Sequence, residues 1–150
     1  MIITITSLKL KHWWGFFKLS LWGLRIVRQT KTQKGFVEIK NTGFGYLHFT
    51  LSVWESEADV KDFARSGAHL EAMKDSRKLA TKIRIYTFQS EKIPDWKDAK
   101  RRLFERGKVF SFDNRTDSES SARAAGFGKT IQYESIKNNK HKGEIFIWDL

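Results

Sequence analysis

The stretch Tyr46-Leu47-His48-Phe49-Thr50-Leu51-Ser52-Val53-Trp54 decides the fold, because its character changes with every step. Leu47, Phe49, Leu51 and Val53 fall on one side, and Tyr46, His48, Thr50, Ser52 and Trp54 on the other. A period of two in a run rich in aromatic and β-branched residues predicts a strand, launched here by Gly43-Phe44-Gly45. Immediately downstream, Ser56 suits a helix N-cap, and Glu57 and Asp59 stand in the first turn, where the helix dipole favours acids. Val60, Phe63 and Ala64 form the apolar stripe of that helix. Ser66-Gly67 then interrupts it, and a second helical stretch carries Ala68, Ala72, Met73 and Leu79.

Upstream, Ile2 to Leu8 alternates and predicts the first strand. Trp13 to Arg28 is apolar at too many positions for one stripe, which predicts a helix buried on more than one side. Thr30 to Gly35 reads as a connection, and Phe36 to Lys40 mixes apolar and charged residues as an exposed edge strand does. Beyond the second helix, Ile83, Ile85 and Thr87 alternate with Arg84, Tyr86 and Phe88. Pro94-Asp95 precedes a charged helix, Trp96 to Arg106, with Ala99, Leu103 and Phe104 inward. The composition changes after Gly107. Ser111 to Gly128 is rich in Ser, Arg, Asp and Gly and reads as a polar loop; Ile131 to Ile136 and Glu144 to Leu150 read as short strands.

The order is thus β-α-β-β-α-β, an α+β ferredoxin-like arrangement over residues 1–110. A C-terminal helix and a basic tail, residues 111–150, are appended and expected to pack on the same domain. With both helices on one face of the sheet, the other is expected to carry Tyr46, His48, Thr50, Ser52, Trp54, Arg84, Tyr86 and Phe88. That face is too aromatic to stand in water, so a second subunit or a ligand should cover it.

Composition removes several function classes. The chain has 150 residues and no Cys, which excludes disulfide frameworks, Cys-ligated zinc, iron–sulfur clusters and cysteine nucleophiles. There is no H-E-x-x-H, no G-x-S-x-G and no acid cluster suited to a divalent metal. Gly126-Phe127-Gly128-Lys129-Thr130 ends like a phosphate-binding loop, but Arg123 stands where the leading Gly belongs and no apolar strand precedes it.

The formal net charge is +11, and Met1 to Lys34 holds seven basic residues and no acid. No zinc-finger spacing, recognition helix or aromatic RNA-binding signature accompanies that charge, so it reads as a solvated basic face, and nucleic acid is not an expected partner. The helix Trp13 to Val27 has the composition of an interfacial membrane helix. Its place as the first covering helix predicts burial instead, so a membrane is not an expected partner either. The opening strand carries no basic leader, and a cytoplasmic address is expected.

Ser52-Val53-Trp54-Glu55-Ser56-Glu57, followed by Phe63-Ala64-Arg65-Ser66-Gly67-Ala68-His69-Leu70-Glu71-Ala72-Met73, resembles the dimeric α+β barrel superfamily. That superfamily includes antibiotic-biosynthesis and haem-degrading monooxygenases, in which a strand ends in Trp, a helix follows and a His-bearing turn comes next. The string from Ser66 to Met73 is most similar to the spheroidene-monooxygenase-like branch. The resemblance covers Met1 to about Gln89. It implies a homodimer paired through sheet faces, with a small flat hydrophobic or aromatic ligand between sheet and helices. Haem is the first cofactor it implies; otherwise none. Trp54 matches the sheet Trp that packs near the porphyrin in haem-degrading members. Their iron-ligating His falls at Met73 here, one helical turn beyond His69 and on the same helix face.

His69 is accordingly the candidate catalytic residue, as haem-iron ligand or as general acid or base. The alternative is a His that caps or packs the second helical stretch. His48, mid-strand on the polar-aromatic face, suits a dimer-interface hydrogen bond or the pocket. Trp54, Tyr86 and Met73 are candidate pocket walls, and Arg84 is a candidate anchor for a carboxylate. His12 and His141 lie among lysines and read as surface. The expectation is a monooxygenase-like protein; the alternative is a non-enzymatic homodimer that binds an anionic metabolite or macromolecule through its basic face.

Overall fold

A computed structural model describes residues 1–112. In chain order the elements are β1 (Ile2–Leu10), α1 (Gly15–Thr32), β2 (Phe36–Phe44), β3 (Leu47–Trp54), α2 (Glu57–Ala64), α3 (Gly67–Leu79), β4 (Ala80–Gln89), α4 (Trp96–Arg106) and β5 (Lys108–Ser111). One five-stranded sheet of order β2-β3-β1-β4-β5 holds them together. Every neighbouring pair is antiparallel, and the first four strands have the ferredoxin-like order expected from the sequence. The strand at Lys108–Ser111 was not anticipated: its four residues are too few to show a period, and only their pairing with Lys82–Ile85 identifies them. The loop and strands expected farther along lie outside the described residues.

The helix signals at Ser56 are realised. Its hydroxyl accepts from the Asp59 N–H, and Val60, Phe63 and Ala64 are buried. Asp95 caps α4 in the same way, accepting from the Asp98 N–H at 2.8 Å.

Each sheet face has its own core. On the first, Ile3, Ile5, Phe49, Leu51, Val53, Tyr86 and Phe88 are packed by Ala99 and Leu103 of α4. On the second, Ile2 and Trp54 pack against Val60, Phe63 and Ala64 of α2, with Ile26 of α1 and Phe36 of β2 at the margin.

Two expectations are corrected by this arrangement. Arg84, Tyr86 and Phe88 do not share a face with Trp54 and His48. Ile5 pairs with both Leu51 and Tyr86, and Ser7 with both Phe49 and Arg84, so these β4 residues lie on the leucine side of β3. Their face is covered from within the chain by α4, where Leu103 is fully buried and Phe104, expected to point inward, is largely exposed.

The second correction concerns α1. It packs with one side only: Ile26 meets the second core, Thr30 is buried, and Gly15 lies so close to Leu10 and Leu79 that a Cβ would fall 2.9 Å from a Leu79 methyl. Its other side is equally apolar and faces water. The sequence density that predicted burial on two sides does reflect two apolar faces, but the fold covers one.

Candidate functional site

The sequence candidates fall into three places. Trp54 and His48 share a face of β3 but stand at its two ends, about 20 Å apart along the strand at roughly 3.3 Å per residue. Arg84 and Tyr86 lie through the sheet on the other side.

At the Trp54 end, three rings run from the sheet to the helix break: Trp54 to Phe63 at 4.8 Å and Phe63 to His69 at 4.6 Å between centroids. Trp54 is 0% exposed, and its indole N–H has no hydrogen-bond partner among the described residues. His69 donates from Nδ1 to the Ala64 carbonyl at 3.2 Å, across the gap between α2 and α3. The break is clasped by a residue that sequence reading missed. The Gln29 amide of α1 donates to the Ser66 carbonyl at 3.0 Å and accepts from the His69 backbone N–H at 3.0 Å. Gly67, at φ +54°, makes room for it, since a Cβ there would sit 2.8 Å from the Gln29 amide carbon. A glutamine inside an apolar helix carries no motif, so only its partners reveal it.

Burial pushes the His69 pKa below the usual imidazole value, opposed by its bond to the Ala64 carbonyl. The folded state therefore binds fewer protons at His69 than the unfolded chain does. Stability from this residue is complete above the unfolded value of about 6.5 and is lost as pH falls from there toward the lower folded value. A urea-midpoint series against pH should show that acid-side slope, at most about 1.4 kcal/mol per pH unit. His69→Gln should flatten it; an unchanged slope would mean that another group titrates.

Haem does not fit these residues. Direct ring contact joins Trp54, Phe63 and His69, leaving no porphyrin-sized space between them. Met73, where the resemblance implied an iron ligand, is half-buried on α3. Among the described residues no group of three or more His, Cys, Asp or Glu is arranged to hold a metal ion.

On the opposite face the Arg84 guanidinium lies over the Phe104 ring at 5.2 Å, and Tyr86 stacks on Phe88 at 5.2 Å. Both side chains are engaged with α4 or with the sheet. The α4 basic cluster is partly neutralised too: Arg101 pairs with Asp98 and Glu105, and Arg102 with Asp98.

Among the described residues, a space that could admit a ligand lies at the His48 end. An open groove of about 400 Å³ runs between the start of α1 and the β2–β3 turn, lined by Trp13, Phe16, Phe17, Phe44, Tyr46 and His48. Its shape depends on two glycines in the left-handed region, Gly43 at φ +150° and Gly45 at φ +62°. A Cβ on Gly43 would meet the Leu47 carbonyl at 2.6 Å, so the hairpin can close this tightly only with glycine there. The Tyr46 carbonyl accepts from the Leu10 N–H at 2.8 Å, fixing the turn to the end of β1.

His48 and the Tyr46 phenol are the polar side chains of this groove. The His48 Nε2 stands 2.9 Å from the Gly45 carbonyl, which can only accept, so Nε2 carries a proton, and the lone pair of the neutral tautomer is the one on Nδ1. The ring lies 5.7 Å from that of Phe16. Sequence reading placed His48 correctly on the strand but could not foresee the groove, because that requires the aromatics of α1 to arrive beside the turn.

Comparison with solved structures agrees with the fold. SnoaB, a cofactor-independent oxygenase from Streptomyces nogalater, superposes with a TM-score of 0.52 at 13% identity over 63% of this chain and 96% of that one. A candidate antibiotic biosynthesis monooxygenase from Deinococcus radiodurans gives 0.56 at 12% identity, covering 63% and 97%. Rv0793 from Mycobacterium tuberculosis gives 0.55 at 9% identity, covering 63% and 100%. Likeness at such low identity concerns the fold alone, an antiparallel sheet with helices in the ferredoxin-like order. No curated protein matches the chain in sequence. Residues 23–125, well over half of the chain, match a defined sequence family, and the protein therefore belongs to the family described as Domain of unknown function (DUF3291).

Proposed function

We propose that the protein binds a flat, hydrophobic, electron-rich molecule in the groove between α1 and the β2–β3 turn, and that it oxygenates that molecule without a resident cofactor. The observation that carries this reading is the groove itself: five aromatic side chains around a single imidazole. Aromatic walls favour a planar ring system by area and by offset stacking. His48 Nδ1 is the base: it takes an acidic C–H proton of the bound ring, leaving a stabilised carbanion. The carbanion gives its electrons to O₂, and the peroxide formed at that carbon takes the proton back. Loss of water from the hydroperoxide leaves a carbonyl, so a CH₂ group and O₂ become C=O and H₂O. A neighbour described as a cofactor-independent oxygenase supports the reaction class. A binding role through the bases of α4 is less well supported, since the guanidinium groups of Arg101 and Arg102 are held by Asp98 and Glu105.

The test is a fluorescence titration with anthrone, a tricyclic carbon acid, together with oxygen uptake. Saturable quenching should weaken roughly tenfold in Phe16→Ala, by the loss of one buried aromatic contact. His48→Ala should still bind but lose oxygen uptake by at least about a hundredfold. Binding that ignores Phe16→Ala would place the ligand elsewhere; uptake that survives His48→Ala would remove the base.

A further inference from the structure

The outward face of α1 is too apolar for water. Trp14, Phe17, Leu21 and Leu24 recur at three- and four-residue spacings, so they line one side of the helix, and all are more than half exposed, Phe17 at 66% and Leu24 at 61%. Phe44, at 96% exposure, continues the surface beyond the helix at the tip of the β2–β3 turn. A contiguous patch of this kind on a folded domain marks a contact surface.

Its charge indicates what the contact is with. The same side of α1 continues to Arg28 and Lys31, both exposed and neither in an ion pair among the described residues. Lys9 and Lys34 are also exposed, and no acid occurs from Met1 to Lys34. A second copy would present the same stripe of α1, which carries no acid of its own, and leave Arg28 and Lys31 without counter-charges; the acids that flank the helix, Glu71 and Asp75 of α3, are already paired with Arg25 and Lys18. An anionic bilayer supplies both requirements, acyl chains for the apolar ridge and phosphates for the bases, and indole rings favour the depth where the two meet.

We propose that the protein docks on anionic lipid surfaces through this face of α1, lying in the interface. No helix among the described residues is long and apolar enough to span a membrane, so the contact is peripheral. The inference does not depend on what the groove binds. It does place the mouth of the groove, flanked by Phe17 and Phe44, against the bilayer, where hydrophobic small molecules dissolve.

Co-sedimentation with vesicles tests it, using phosphatidylcholine alone and an equal mixture with phosphatidylglycerol. The protein should pellet with the mixed vesicles, its tryptophan emission moving to shorter wavelength, and be left in solution by phosphatidylcholine. Leu21→Glu and Leu24→Glu, which lie outside the groove, should each weaken binding by roughly tenfold or more. Arg28→Ala and Lys31→Ala should each weaken it about fivefold and reduce its salt sensitivity. All four positions are exposed, so far-ultraviolet circular dichroism should show the fold intact. Failure to pellet with either vesicle, or equal binding by the glutamate variants, would overturn the proposal. So would a dimer in light scattering that Leu24→Glu converts to monomer, because the face would then be covered by a second copy.

Discussion

Trp54→Ala is expected to lower the unfolding free energy by about 3–5 kcal/mol, read as a lower urea midpoint by circular dichroism. Trp54 is fully buried at the end of β3, with the Phe63 ring 4.8 Å away and the Phe36 ring 5.8 Å away. Removing the indole leaves a cavity between the sheet and α2 that Val60 and Ala64 are too short to fill. Trp54→Phe separates packing from polarity. The lost indole N–H has no partner among the described residues, so no hydrogen bond is forfeited and only volume is lost. The expected cost is roughly 1–2 kcal/mol, well under that of alanine. A phenylalanine variant as damaged as the alanine one would show that the indole nitrogen makes a contact beyond these residues.

Leu103→Ala carries the second large effect, about 2–5 kcal/mol, although α4 looks from its composition like a solvated helix. Its acids and bases pair along the exposed side, while Ala99 and Leu103, four residues apart, are the two side chains fully buried against Ile3, Leu51 and Tyr86. Phe104→Ala is the internal control. That ring is 48% exposed and meets Arg84 and Phe49 only at the margin, so its loss should cost about 1 kcal/mol or less. Equal effects at 103 and 104 would mean that α4 does not cover the sheet in this orientation.

Local signals were legible in the sequence and relations between distant elements were not. The alternation from Leu47 to Trp54, the Ser56 cap and the span of α4 each depend on residues within one turn or one strand. The face that carries Arg84 and Tyr86 depends on how β4 is registered against β1, and a slip of one residue exchanges the two faces without altering the pattern of either strand. Gln29 was unreadable for a similar reason: its partners, Ser66 and His69, lie 37 and 40 positions away. The groove was hidden because His48 and Phe16 become neighbours only when α1 reaches the hairpin. The second apolar face of α1 was visible as excess hydrophobicity, and reading that excess as burial assumed that everything apolar finds its cover within one chain.

The position of β1 has a consequence for how the chain is made. It is the central strand, and its Ile2 is matched to Trp54 on one side and to Gln89 on the other. During synthesis the run Ile2-Ile3-Thr4-Ile5 must therefore wait for the second of these partners, several seconds at ~5–20 residues per second. Until then a strand that ends in the deepest layer of the protein can be paired along one edge only, by β3, and its other edge stays open. The sheet thus closes around its earliest strand only once β4 has been made, and until then the second edge of that strand is a template to which another chain could pair.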